Sequence, residues 1–260
     1  MEQQYGVCRV AIAPLRVADA DKAEMSSQLL FGDHVEILER TDRWLRVRNA
    51  YDGYEGWMDF KQVYEISETE FLKGKNSKYL VPAAMLNIVT DSTGGNYYLS
   101  PGSNLPAFDA GFCTLGPEKF KLNFEPVIAP AQVVTAQLLN DALLFLNTPY
   151  LWGGRNFYGI DCSGFVQTVF KLNGIDLKRD AWQQAEQGNS VDFLPEVKAG
   201  DVAFFDNAEG RIIHVGIMLS ASEIIHASGR VKIDKMDTEG IYSAELGRYS
   251  HKLRIVKRFF

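Results

Sequence analysis

Cys162, His214 and His226 are the residues whose type and placement could carry nucleophilic catalysis in this chain. Cys162 opens a predicted helix over Cys162–Leu172, directly after Asp161, which suits an N-cap. The helix macrodipole and the unpaired N–H groups of a first turn favour a thiolate. The same N–H groups can stabilise an oxyanion. Gly164 in that turn is a poor helix former unless the backbone must be approached closely there. Cys8 and Cys113 lie in strand-like contexts and read as packing residues.

A thiol nucleophile needs a base. Of the four histidines, His34 sits in a turn and His251 near a basic tail, so both read as surface residues. His214 and His226 fall in adjacent predicted strands, Arg211–Met218 and Ser222–Ala227. A hairpin with the three-residue loop Leu219-Ser220-Ala221 would set them directly opposite, with Cβ atoms about 4.5–5.5 Å apart. A slip of one residue would place them on opposite faces. Histidine can serve as the third, orienting group because a ring nitrogen can accept the base's N–H. Taken singly, each residue has a plainer reading, a buried thiol or a satisfied core imidazole. Zinc held by Cys162, His214 and His226 is a further alternative, although a structural site usually takes four ligands at shorter spacings.

The elements that must position these groups fall into three segments. From about Tyr5 to Tyr64, the short apolar runs Cys8–Ile12, Val35–Leu38, Trp44–Val47 and Gly56–Met58 alternate with turns such as Asp52-Gly53. This is the pattern of a small β barrel. From about Glu68 to Phe124 the texture repeats more weakly, through Tyr79–Val81, Leu86–Val89, Tyr97–Leu99 and Phe112–Leu115. After a Pro-bounded linker the period changes. Gln132–Leu146 and Cys162–Leu172 read as amphipathic helices, with Gly174 stopping the second, and Ala181–Gln187 as a short third. Strands follow at Asp201–Phe205, Arg211–Met218, Ser222–Ala227, Val231–Ile233 and Leu253–Val256, giving an α+β domain. The expected boundaries are 1–66, 67–128 and 129–260.

Composition narrows the partners. With 46% hydrophobic residues in 260, the chain can bury a core without staples. A net charge of −6 offers no basic face for nucleic acid. Three scattered cysteines form neither a disulfide framework nor a CxxC site. No apolar stretch approaches the roughly 20 residues needed to span a bilayer. Met1-Glu2-Gln3-Gln4-Tyr5 lacks the marks of a secretory signal. The expectation is therefore a cytoplasmic protein, or a periplasmic or cell-surface one if a signal has been trimmed.

Four ordered motifs carry a family resemblance. Tyr150-Leu151-Trp152-Gly153-Gly154 precedes Asp161-Cys162-Ser163-Gly164-Phe165. Gly200-Asp201-Val202-Ala203-Phe204-Phe205, His214-Val215-Gly216-Ile217 and Ile225-His226-Ala227-Ser228 follow. Together, over about Ala131–Phe260, they resemble the NlpC-type papain-like cell-wall cysteine peptidases. Pro14-Leu15-Arg16, Glu24 to Gly32 and Asp52-Gly53-Tyr54-Glu55-Gly56-Trp57 resemble the bacterial SH3-like barrels that precede this domain in one subgroup. The implied architecture is two small all-β SH3-like barrels followed by an α+β papain-like cysteine peptidase domain.

The resemblance implies Cys162 as nucleophile, His214 as base and His226 as its orienting residue, with no metal or organic cofactor. It implies cleavage of the γ-D-glutamyl bond to a diamino acid in peptidoglycan stem peptides. In the subgroup the stem peptide begins with a free L-Ala, and L-Ala-γ-D-Glu is released. Asp161 and Glu24 resemble its ammonium-binding carboxylates, and Tyr54 their accompanying phenol. Ser163 and Tyr150 resemble the substrate-contacting hydroxyls, and Trp152 a wall of the cleft. One departure concerns specificity: relatives often carry a serine after the Arg-Asp pair, whereas Arg179-Asp180 is followed here by Ala181 and Trp182. An amidase or acyltransferase using the same triad, and an idle wall-binding protein, remain open alternatives.

Overall fold

A computed structural model describes residues 3–260. Two compact units result, the chain up to Ala129 together with Trp152–Asn156, and Pro130–Leu151 together with Phe157–Phe260.

The first unit begins with strands β1 (Gln4–Cys8), β2 (Ile12–Arg16), β3 (Met25–Leu30), β4 (His34–Arg40), β5 (Trp44–Asn49), β6 (Glu55–Asp59) and β7 (Val63–Ile66). They form one antiparallel sheet in the order β3-β2-β6-β5-β4-β1-β7. Alternation explains β5: Leu45 and Val47 point into a core with Leu15, Leu29, Val35 and Met58, while Arg46 and Arg48 face out. The predicted strand at Cys8–Ile12 is a correction. Those residues lie where β1 gives way to β2, because Cys8 and Arg9 turn their N–H groups to the carbonyls of Asp33 and Gln62.

Helix α1 (Glu68–Gly74) follows, closed at its start by a reciprocal Ser67–Glu70 capping box. Strands β8 (Tyr79–Leu80), β9 (Ile88–Thr90), β10 (Asn96–Tyr98), β11 (Phe112–Leu115), β12 (Glu118–Leu122) and β13 (Val127–Ile128) come next. They form a four-stranded antiparallel sheet, β10-β9-β12-β11, and a β8–β13 pair. Its core of Val89, Leu99, Cys113, Phe120 and Leu122 also takes in Val7 from β1 and Phe31 from the turn after β3. The Phe31 and Phe120 rings meet edge-on at 5.0 Å.

Trp152–Asn156, containing strand β14 (Arg155–Asn156), belongs to this unit. The buried Arg155 guanidinium donates to the Gln28 carbonyl at 2.9 Å and to Asp33 Oδ2 at 3.3 Å. Gln28 Oε1 accepts from the backbone N–H of Arg155 and from Asn156 Nδ2. Gly153 has φ +75°, and a Cβ there would stand 2.7 Å from the Met25 carbonyl oxygen.

The second unit holds α2 (Thr135–Leu144), β15 (Gly159–Ile160), α3 (Cys162–Leu172) and α4 (Ala181–Gln184). Strands β16 (Asn189–Val191), β17 (Val202–Asp206), β18 (Ile212–Ser220), β19 (Glu223–Ser228), β20 (Arg230–Met236), β21 (Gly240–Ser243) and β22 (Arg248–Arg258) follow. Their antiparallel sheet runs β16-β22-β17-β18-β19-β20-β21 and closes on itself because β22 also pairs β21. All eleven residues of α3 are buried. Phe165, Val166, Val169 and Phe170 pack with Val215, Ile217 and Ile225 in one core. Gly174, at φ +82°, follows the helix and returns its N–H to the Lys171 carbonyl, as the stop signal required.

Candidate active site

Cys162 occupies the first turn of α3, where Asp161 Oδ1 accepts the Gly164 N–H at 2.6 Å. The backbone N–H groups of Ser163 and Val215 lie near enough to its sulfur to favour the thiolate. Burial, then the negative charge of Asp161, push the Cys162 thiol up to about 12, against the pull of Arg179 and those two N–H groups. The thiol therefore needs a proton acceptor before it can attack. Because Val215 directly follows His214 on β18, the N–H contact brings the histidine-bearing strand to the sulfur.

His214 Nε2 and His226 Nδ1 are 2.8 Å apart. The expected pairing is corrected by two residues, since Gly216, not His214, stands opposite His226. The hairpin turns at Ala221-Ser222, with Ser220 opposite Glu223, and Leu219 forms a β-bulge. A two-residue turn alone would have put the histidines on opposite faces. The one-residue bulge restores the parity, so they meet diagonally on one face. Gly216 makes the approach possible, because a Cβ there would lie 2.8 Å from His226 Cβ.

The chain of contacts continues. His226 Nε2 lies 3.1 Å from Asp234 Oδ2, and Lys232 Nζ lies 3.3 Å from the same oxygen. On β20 Lys232 is opposite His226, so Asp234, two residues on, shares its face. Burial, then the charges of His251, His226 and Lys232, hold the His214 imidazole well below 6.5. Burial likewise lowers His226, opposed by Asp234. Burial alone would raise Asp234, but His226 and Lys232 keep its carboxyl below the ordinary range. At neutral pH the site thus rests as a thiol beside uncharged imidazoles.

Both histidines read as surface residues prove otherwise. His251 stacks on His214 with centroids 4.0 Å apart, and burial lowers it to about 4. Its strand β22 is drawn inward by pairing with both β17 and β21. His34 is buried at the start of β4, with Nδ1 2.9 Å from the Gly32 carbonyl. The missing side chain of Gly74 leaves room for its ring, since a Cβ there would stand 2.0 Å from Nε2. His214, His226 and His251 offer ligand atoms all within 4.8 Å of one another, a grouping that could hold a metal ion. Two of the ring nitrogens are engaged in the mutual hydrogen bond.

Asp161 is more than a helix cap. Its carboxylate takes two hydrogen bonds from the buried Arg179, at 3.1 and 2.5 Å, and Arg179 also donates to Ser163 Oγ at 2.9 Å. The Tyr150 phenol packs against the core, and burial, then the charges of Cys162 and Asp161, raise its pKa. Ala181 is buried in that core, while Trp182 beside it is half exposed. In the first unit, Glu24 is exposed and accepts the Trp152 indole N–H at 2.7 Å. Tyr54 packs against the core of the seven-stranded sheet. Arg179, Asp234 and His251 went unassigned from sequence. Arg179 stood there only as a landmark, and nothing in the spacing marks the other two.

Comparison with known proteins agrees with this geometry. Residues 147–248 match the NlpC/P60 family, and residues 15–63 match the bacterial dipeptidyl-peptidase Sh3 domain. The chain is 32% identical to the gamma-D-glutamyl-L-lysine dipeptidyl-peptidase of Bacillus subtilis, over 85% of this chain and 79% of that one. With the enzyme of the same name from Bacillus cereus it shares 28% identity, over 87% and 74%. In fold it is similar to an NlpC/P60 family protein of Bacillus cereus, with a TM-score of 0.82 at 21% identity over 98% and 99% of the two chains. Likeness that spans the SH3-like strands as well as the cysteine-bearing helix and its sheet leaves one reading, and the chain belongs to the NlpC/P60 family.

Proposed function

We propose that this chain is a cysteine dipeptidyl-peptidase. It hydrolyses the γ-D-glutamyl bond to an L-diamino acid in peptidoglycan stem peptides with a free N-terminal L-Ala, and releases L-Ala-γ-D-Glu. The observation that carries this reading is the buried Cys162 on the first turn of α3, facing a strand whose His214 is hydrogen-bonded to His226. The names of the Bacillus relatives support the substrate class.

In this mechanism the Cys162 thiol gives its proton to His214 and the sulfur attacks the γ-carbonyl of D-glutamate. The oxyanion is met by the Cys162 N–H and the Tyr150 hydroxyl. Breaking the C–N bond releases the diamino acid, whose amine takes the proton from His214. Water, deprotonated by His214, then hydrolyses the thioester, and the proton returns to the sulfur. Asp161 and Ser163, on the second unit, serve as substrate-binding residues, and for Glu24, Tyr54 and Trp152, on the first unit, that role rests on the resemblance alone. The negative charge of Asp161 is shared with Arg179, which limits it to a partial hold on an ammonium group. We assign 67–128 as a further SH3-like β unit, between the first barrel (1–66) and the peptidase domain (129–260).

The test is incubation of wild type and Cys162→Ala with L-Ala-γ-D-Glu-meso-diaminopimelate and with L-Ala-γ-D-Glu-L-Lys. Each peptide is used with and without an N-acetyl block, and products are followed by mass spectrometry. Release of L-Ala-γ-D-Glu by wild type alone, from free amines alone, is the expected result. Equal cleavage of blocked peptides removes the ammonium-binding roles, and no cleavage of any of them removes the reading.

A further inference from the structure

We propose that Asp234 is a positioning residue that sets the protonation pattern of both histidines and so makes His214 able to take the thiol proton. The inference rests on reading Cys162 as the nucleophile and His214 as its base. It follows from which atoms face which. His214 turns Nε2 to His226, leaving Nδ1 as the nitrogen available to a thiol. A neutral imidazole carries one proton, so Nδ1 can accept only if that proton is on Nε2. His214 Nε2–H must then donate to His226 Nδ1, which has to be an acceptor. His226 must in turn carry its own proton on Nε2, and that N–H needs an acceptor. Asp234 Oδ2, at 3.1 Å, is an acceptor and nothing else while ionised.

The surroundings keep it ionised. Lys232 Nζ sits 3.3 Å from the same oxygen and is itself shared with Glu245 Oε2 at 3.0 Å. The other titratable neighbours are His226 itself and His251, which is stacked on His214. With Asp234 in place, the opposite tautomer of His226 would point two lone pairs at each other across 3.1 Å. The preference passes from β20 through β19 to β18 by two diagonal steps across one sheet face. When the thiol proton moves to His214 Nδ1, the new imidazolium still donates to His226, and no second proton has to move.

Asp234→Leu removes the acceptor at similar volume, and Asp234→Asn retains one, since an amide oxygen can replace Oδ2 facing both His226 and Lys232. Two readouts apply: steady-state cleavage of L-Ala-γ-D-Glu-L-Lys, and the iodoacetamide alkylation rate of Cys162 followed by peptide mapping, which needs no peptide substrate. Nitrogen-15 NMR of the wild-type imidazoles supplies a third that does not depend on any variant folding. The expected results are Nε2–H on both His214 and His226 in wild type, and a fall of about 10²- to 10³-fold in kcat with KM nearly unchanged for Asp234→Leu. Alkylation falls in parallel, and Asp234→Asn stays within about tenfold of wild type. The proposal is overturned by Nδ1–H on His226 in wild type, or by a folded Asp234→Leu variant with unchanged kcat and alkylation. It is equally overturned if Asp234→Asn loses as much as Asp234→Leu, because charge rather than the acceptor would then be responsible. Absence of peptide cleavage by wild type together with the expected alkylation and NMR pattern would remove the substrate assignment and leave the positioning role standing.

Discussion

The His251 imidazole lies flat on that of His214, with centroids 4.0 Å apart and planes 20° from parallel. Two cations stacked at that distance would repel strongly in a buried setting, so at most one ring charges readily. His251 thereby helps keep the base neutral. Replacing it by phenylalanine keeps a flat face and removes the like charge. His251→Phe is expected to move the acid limb of the kcat/KM profile upward, toward 6.5, by up to about one pH unit. An unmoved limb would leave burial and the charges of His226 and Lys232 as the causes.

Gly216 faces His226 across the hairpin, and a Cβ there would meet both His226 Cβ and Ile224 Cδ1 at 2.8 Å. Both contacts are backbone-proximal or in the core, so the sheet itself must give. Gly216→Ala is expected to cost about 1–3 kcal/mol of stability. It should also lower kcat at least about tenfold through displacement of His226. Thermal unfolding and steady-state kinetics read the two effects separately.

Arg179 is buried against Asp161, and breaking such a pair strands a charge without water. Arg179→Met is expected to destabilise by about 3–5 kcal/mol. The double change Arg179→Met with Asp161→Asn should recover part of that loss. A double-mutant cycle in denaturant gives the coupling, and additive losses would mean the two residues act independently.

Acid sensitivity follows from the imidazoles. His34, His214, His226 and His251 all have folded-state pKa values below 6.5, and His251 falls to about 4. Between those limits the unfolded chain binds more protons than the folded one, so stability is full above about 6.5 and declines as pH falls toward 4. The expected slope is about 1.4 kcal/mol per pH unit for each proton taken up on unfolding. Denaturant titrations at pH 7, 6 and 5 measure it, and a flat profile would contradict the buried, neutral histidines.

The helix-forming positions were legible because Asp161, the apolar spacing of Phe165, Val166, Val169 and Phe170, and Gly174 all carry local signals. The strands bearing His214 and His226 were equally readable, and so was their shared face. Their register was not. A bulge at Leu219 leaves no mark in the hydrophobic pattern, since Met218 and Leu219 are both apolar. Strand β12 was missed because Lys119 and Lys121 point outward around Phe120 and dilute a short run. Asp234 and Arg179 gained their places from pairings that only the folded sheet and helix create. His251 was misread because nothing in a basic tail announces a strand that pairs on two sides.

The bulge at Leu219 also governs which changes of length the β18–β19 hairpin can absorb. Deleting Leu219 would let the Met218–Ile224 pair follow the Ser220–Glu223 pair directly and keep Gly216 opposite His226, and a residue added at Ala221-Ser222 would only lengthen the turn. A residue added or removed between His214 and Gly216, by contrast, moves His214 to the far side of the sheet while that pairing stands. Length variants that stay active are therefore expected to differ at the tip of the hairpin and not between His214 and Gly216.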